Sequence, residues 1–91
     1  MNMNTSRIDA PVSMQIARMG EITFTNGKFS LPDNGAFNIK NDGDAAVSLE
    51  VRLDMMAAGE TVTTSFEVGW NPEIVKEVIQ PSDTVTLKWG V

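Results

Sequence analysis

The chain has 91 residues, with 7 Lys plus Arg against 12 Asp plus Glu, no His and no Cys, giving a formal net charge of −5. That length suits one hydrophobic core rather than two, and 42% hydrophobic with 21% charged residues matches folded chains rather than disordered ones. The negative charge repels phosphate backbones. The empty Cys and His columns remove disulfides, thiol nucleophiles, the common zinc ligands and the usual general base, which disfavours nucleic-acid binding and most enzyme classes together.

Residues 1–11 are polar, show no period of 2 or 3.6, and end at Pro11, which cannot donate to a ladder. They read as a flexible arm, with Met3, Arg7 and Ile8 as the side chains able to dock on a partner. Asn, Thr and Ser around the single Arg7 do not make the apolar run of a secretory signal, and Asn4-Thr5-Ser6 is a glycosylation triplet of the kind that arises by chance. The longest apolar stretch, Met55 to Ala58, falls far short of the roughly 20 residues of a membrane span. The expectation is a chain made in the cytoplasm, with no signal peptide, no transmembrane segment and no membrane partner.

The rest, residues 12–91, reads as a single domain. Val12, Met14 and Ile16 alternate with polar residues as a first strand, broken at Gly20. Glu21 to Leu31 predicts a hairpin around Asn26-Gly27, since that pair accepts the two positive φ angles of a type I′ turn. A two-residue loop sets Thr25 opposite Lys28, Phe24 opposite Phe29, Thr23 opposite Ser30 and Ile22 opposite Leu31, with the apolar residues on one face. After the turn Pro32 to Gly35 comes a short strand, 36–40, with Phe37 and Ile39 pointing together; Asn41 to Asp44 turns again. Val47, Leu49, Val51 and Leu53 alternate cleanly with Ser48, Glu50, Arg52 and Asp54. Val62, Thr64, Phe66 and Val68 do the same against Thr61, Thr63, Ser65 and Glu67, and the two runs are expected to pair.

Trp70 to Ile79 reads two ways. Asn71 caps and Pro72 opens a helix whose stripe is Ile74, Val75, Val78 and Ile79; those same four residues are β-branched, and a strand would bury Val75 and Ile79 around an exposed Glu77. Following the turn Gln80 to Asp83, the run 84–89 closes the domain with Val85, Leu87 and Trp89 on one side. The fold class is therefore all-β: one small β-sandwich, Ig-like or jelly-roll-like, of seven to eight short, mostly antiparallel strands with an N-terminal arm.

Chemistry-bearing residues are few. The acidic turns 33–35 and 41–44 offer oxygen ligands for calcium, but they lack the Asp-x-Asp-x-Asp-Gly spacing, and Asn, Asp and Gly are what a tight turn selects for itself. Glu50, Asp54, Glu67 and Glu77 fall on solvated faces rather than in a cleft. Trp89 shares the parity of Val85 and Leu87 and reads as core, which leaves Trp70 as the freer aromatic for a sugar platform. Met55-Met56 suits adaptable packing. No catalytic, cofactor or metal site is assigned.

Gly43-Asp44 opening a strand, the run Ala58 to Thr63, Trp70-Asn71-Pro72 leading into Val75 to Val78, and the closing Leu87-Lys88-Trp89 carry a resemblance. From about Phe37 onward the chain resembles small β-rich structural proteins of tailed-bacteriophage virions, and is similar to capsid auxiliary proteins of crAss-like phages. The resemblance implies that 72–79 is a strand. It also implies a non-enzymatic virion protein, an auxiliary or decoration subunit present in many copies on the major capsid protein or other virion proteins, without cofactor. A carbohydrate-binding or adhesion sandwich is the alternative.

Overall fold

The computed structural model describes residues 15–91, and these form an all-β sandwich without helices. Eight strands follow in chain order: β1 (Met19–Glu21), β2 (Lys28–Phe29), β3 (Asn38–Asn41), β4 (Val47–Leu53), β5 (Val62–Phe66), β6 (Gly69–Trp70), β7 (Val75–Ile79) and β8 (Leu87–Gly90). One sheet has the order β1-β8-β3-β6 and the other β2-β7-β4-β5, all ladders antiparallel. The pairs β1 with β8, β2 with β7, β3 with β6 and β4 with β5 are nested inside one another. That nesting, a long hairpin rolled over on itself, is jelly-roll topology, and it decides between the two sandwich types left open by the sequence.

Between the sheets lie Ile22, Leu31, Phe37, Ile39, Leu49, Val51, Phe66, Val75, Val78 and Leu87, all buried, with Phe24, Phe29, Val47, Leu53, Val85 and Trp89 packed around them. Phe29 and Phe37 meet edge to face at 5.4 Å, a geometry in which the positive ring edge of one faces the negative face of the other. The alternation of β4 holds, and its predicted partner β5 lies beside it with Leu49 opposite Thr64.

The Asn26-Gly27 turn forms as predicted, with φ of 55° and 83° and the Thr25–Lys28 pair closed by two backbone hydrogen bonds of 3.0 and 3.3 Å. The hairpin stops there. Ile22 N–H donates to Leu87 O at 3.0 Å and Phe29 pairs with Val78, so the pairs Phe24–Phe29, Thr23–Ser30 and Ile22–Leu31 are not made and the two arms enter different sheets. Each arm thereby joins a four-stranded sheet, while Phe24 and Phe29 still reach the common core, more than an isolated two-stranded ribbon provides.

Three further expectations are corrected. Gly20 does not break a strand but sits inside β1, because the indole of Trp89 occupies the place of its missing side chain: a Cβ there would lie 2.9 Å from Trp89 Nε1. Val62 and Val68 do not join Phe66 in the core: Val62 is 38% exposed at the start of β5, and Val68, 54% exposed, has left β5 to bridge Asn41 of the first sheet. The segment 71–79 has no helix, and its residues 75–79 are β7, but the buried pair is Val75 and Val78 rather than Val75 and Ile79. The cause is a register shift: Arg52 faces Glu77 while Leu53 faces Val75, leaving Lys76 as an extra residue that reverses the inward parity. Before that bulge, Val75 exchanges two backbone hydrogen bonds with Phe37 of the other sheet (2.8 and 2.9 Å), so this corner ties the layers together.

Candidate functional site

The acidic turns are occupied by their own backbone. Asp33 Oδ1 accepts from Gly35 N–H and Asn41 Oδ1 from Gly43 N–H, each at 2.9 Å, the Asx bonds that such turns require. Asp42 turns instead onto the outer face of the first sheet. Its carboxylate pairs with Lys88 and, at 3.2 Å, with Lys40, residues that lie opposite each other on β8 and β3. The hydrogen bonds from Lys88 and then Lys40 hold the Asp42 carboxyl below its ordinary value, and the bond to Asp42 pushes the Lys88 ammonium up. Glu21, opposite Lys88 in the β1–β8 register, also acts on that ammonium through space, so the two lysines stand against two carboxylates rather than open to an anion.

The four carboxylates that the sequence places on solvated faces are engaged in a similar way. Glu50 accepts from Thr61 Oγ1 at 2.6 Å, Glu67 from Ser65 Oγ at 3.3 Å, Glu77 lies 3.4 Å from Lys28 Nζ, and Asp54 is 4.0 Å from Lys76 Nζ. Among the described residues no group of three His, Cys, Asp or Glu side chains converges on a common point. Glu73 Oε1 alone among the described side-chain oxygens and nitrogens is buried without a partner.

The two tryptophans differ from the sequence expectation. Trp89 lies at the margin of the core, half-buried, with the Arg18 guanidinium 5.3 Å from the ring centroid, close enough for a cation–π contact. Arg18, Leu31, Pro32, Asp33 and Trp89 line a shallow recess of about 300 Å³. Trp70 is no freer: it is half-buried too, its indole lying across Gly90 together with Ile16.

Sequence reasoning gave little place to three asparagines that hold the loops. Asn71 Oδ1 accepts from Glu67 N–H at 2.9 Å while its Nδ2 donates to Glu67 O at 2.9 Å and Gly69 O at 3.0 Å; it staples the β5–β6 connection and is not a helix cap. Asn41 is buried and donates to Ala45 O and Phe66 O at 2.9 and 3.1 Å. Asn38 Nδ2 donates to Glu73 O at 3.0 Å. Asn41 was findable, since it shares the inward parity of Phe37 and Ile39, where an amide must bring its own partners.

The backbone offers a different kind of site. β1, β2 and β6, at three of the four sheet edges, have 3, 2 and 2 residues, whereas β5 at the fourth has 5 and carries no charge, Pro or bulge. Such an edge is a template for another strand. Met3, Arg7 and Ile8, named above as docking residues, lie outside the described residues. Among the described residues no helix is long and apolar enough to cross a membrane. Compared with known proteins, the chain matches no family model, no curated protein and no solved structure.

Proposed function

We propose that this chain is a non-enzymatic structural protein of a phage virion, an auxiliary or decoration subunit that binds the major capsid protein or a neighbouring virion protein in many copies. The observation that carries the reading is the nested strand order, since jelly rolls recur in viral capsid and lectin domains. This is support by analogy of fold, because one fold hosts many functions. The side chains add to it: Asp33, Asp42, Glu50, Glu67 and Glu77 are engaged in a turn, ion pairs and hydroxyl contacts, as suits a protein whose work is contact rather than chemistry.

Mass spectrometry of purified particles tests the proposal, with the chain expected at a stoichiometry comparable to the capsid protein. Its absence from particles, alongside abundant free protein in the lysate, would overturn it. Deleting Met1 to Asp9 is expected to leave the sandwich folded and to lower incorporation, because docking residues 3, 7 and 8 are lost.

The second reading, a carbohydrate-binding or adhesion module, is favoured by the Trp89 recess with Arg18 and Asp33 at its rim. It needs a sugar to displace the guanidinium from the indole. Titrating the chain with oligosaccharides while following Trp fluorescence separates the two readings, because a saturable change belongs only to the second.

A further inference from the structure

We infer that the edge of β5 that no described strand covers pairs with β5 of a second copy of this chain, antiparallel about a twofold axis through Thr64, joining two four-stranded sheets into one of eight. The inference deepens the lattice reading above and takes its biological setting from it.

Three observations converge on this edge. β4 covers one side of β5 through the register Val47–Phe66 to Val51–Val62, and no described strand pairs with the other side. At that side the alternate backbone N–H and C=O groups of a five-residue strand point outward without the short length that protects the other three edges or a lysine that would repel a neighbouring strand. Beside them, Val62 is 38% exposed, apolar surface that a further strand would cover.

The occupant follows from self-complementarity. Paired residues of an antiparallel ladder share a face, so only registers that match inward with inward residues are allowed. The register centred on Thr64 is the one that aligns all five residues. It sets Val62 against Phe66 of the second copy, Thr63 against Ser65, and Thr64 against itself. The ladder contains no charge, and the flanking Glu60 and Glu67 fall opposite Val68 and Thr61 of the other copy, so no carboxylate faces a carboxylate. A β-branched side chain against an aromatic one and hydroxyls against hydroxyls are favourable cross-strand pairs. A contact of five residues per side is small for a stable dimer, so the isolated chain associates transiently and the contact gains strength where copies are already held side by side.

The test uses the full chain in solution and needs no particles, so its outcome is independent of whether the chain is found in virions. Sedimentation equilibrium should show the apparent mass of wild type rising with concentration from 9.9 kDa towards twice that value, with amide shifts that depend on concentration confined to residues 62–66 and their β4 neighbours. Thr63 and Ser65 are exposed, so charged side chains are tolerated there. The double variant T63K/S65K places lysine opposite lysine twice and should weaken association about tenfold or more. T63K/S65E places lysine opposite glutamate twice and should return it to within about threefold of wild type. Wild type that stays monomeric into the millimolar range, equal association of all three proteins, or protection of the edge amides at every concentration would each overturn the inference, the last because the chain would then cover its own edge.

Discussion

Gly90 is the position where one added carbon reads out the packing of the outer face. It lies on β8 between Met19 of β1 and Asn38 of β3, yet it is buried, because Trp70 and Ile16 close over it. A Cβ there would lie 2.5 Å from Trp70 Cη2, 2.8 Å from Trp70 Cζ3 and 2.9 Å from Ile16 Cγ2. Carbon atoms settle at about 3.5–4.0 Å, so the indole must withdraw by roughly 1 Å. Overpacking of that size costs about 1–3 kcal/mol, and the smaller conformational freedom of Ala in the unfolded chain returns about 0.4–1 kcal/mol, which leaves Gly90→Ala destabilising by up to about 2.6 kcal/mol. For a domain of this length, each 1 kcal/mol lowers the melting temperature by about 4–8 °C. In a Trp70→Ala background the two closest atoms are gone and only Ile16 Cγ2 has to give way, so the same change costs less. Urea unfolding of the four proteins of this cycle gives the coupling, expected at about 1 kcal/mol or more, and Trp70 emission in a Trp89→Phe background reports the displaced ring directly. An equal cost of Gly90→Ala with and without Trp70 would refute the packing argument.

Asn71→Ala is expected to lower stability by about 2–4 kcal/mol in urea unfolding, since it leaves Glu67 N–H and the Glu67 and Gly69 carbonyls of a closed loop without their partner. Phe66→Ala should cost about 3–5 kcal/mol by the same measurement, as Phe66 is fully buried between the sheets. The Asp42 carboxyl, lowered from 3.8 first by Lys88 and then by Lys40, contributes stability that is complete above that value and is lost as pH falls through its depressed folded-state pKa. Lys88, raised from 10.5 by Asp42, contributes stability that is complete below that value and is lost as pH rises through its elevated folded-state pKa. Asp42→Asn should therefore flatten both limbs of a melting-temperature profile against pH, and unchanged limbs would show that the pair contributes nothing to folding.

What was legible in the sequence is what period and turn chemistry encode. The β4 alternation, its pairing with β5 and the Asn26-Gly27 turn depend on residues close in the chain. The arms of that turn do not, because whether Phe24 pairs with Phe29 or leaves for another sheet depends on β7 and β8, far later in the chain, competing for the same backbone groups. Gly20 and Gly90 were opaque for a similar reason: each is small because a distant tryptophan lies over it, and a lone glycine in a strand pattern reads locally as a break. The candidate docking residues of the arm fall where no structure is described, and the β5 edge was invisible to pattern, since being at an edge is a property of the sheet order.

The stretch 71–79 shows how a local rule fails for a physical reason. Helical spacing at Val75 and Val78 is real in the sequence, and both side chains are buried, as an i, i+3 stripe requires. A strand reaches the same result by inserting one residue, Lys76, whose bulge turns a period of 2 into a local step of 3. The bulge is needed because Val75 must first satisfy Phe37 of the opposite sheet before β7 joins β4, so the strand has to turn as it changes partners. The β-branched residues that lower helix propensity here suit a strand sandwiched between two others. With β7 held in the middle of its sheet between β2 and β4, the outer position on the far side falls to β5, and a strand without a charged residue becomes the one whose backbone faces outward.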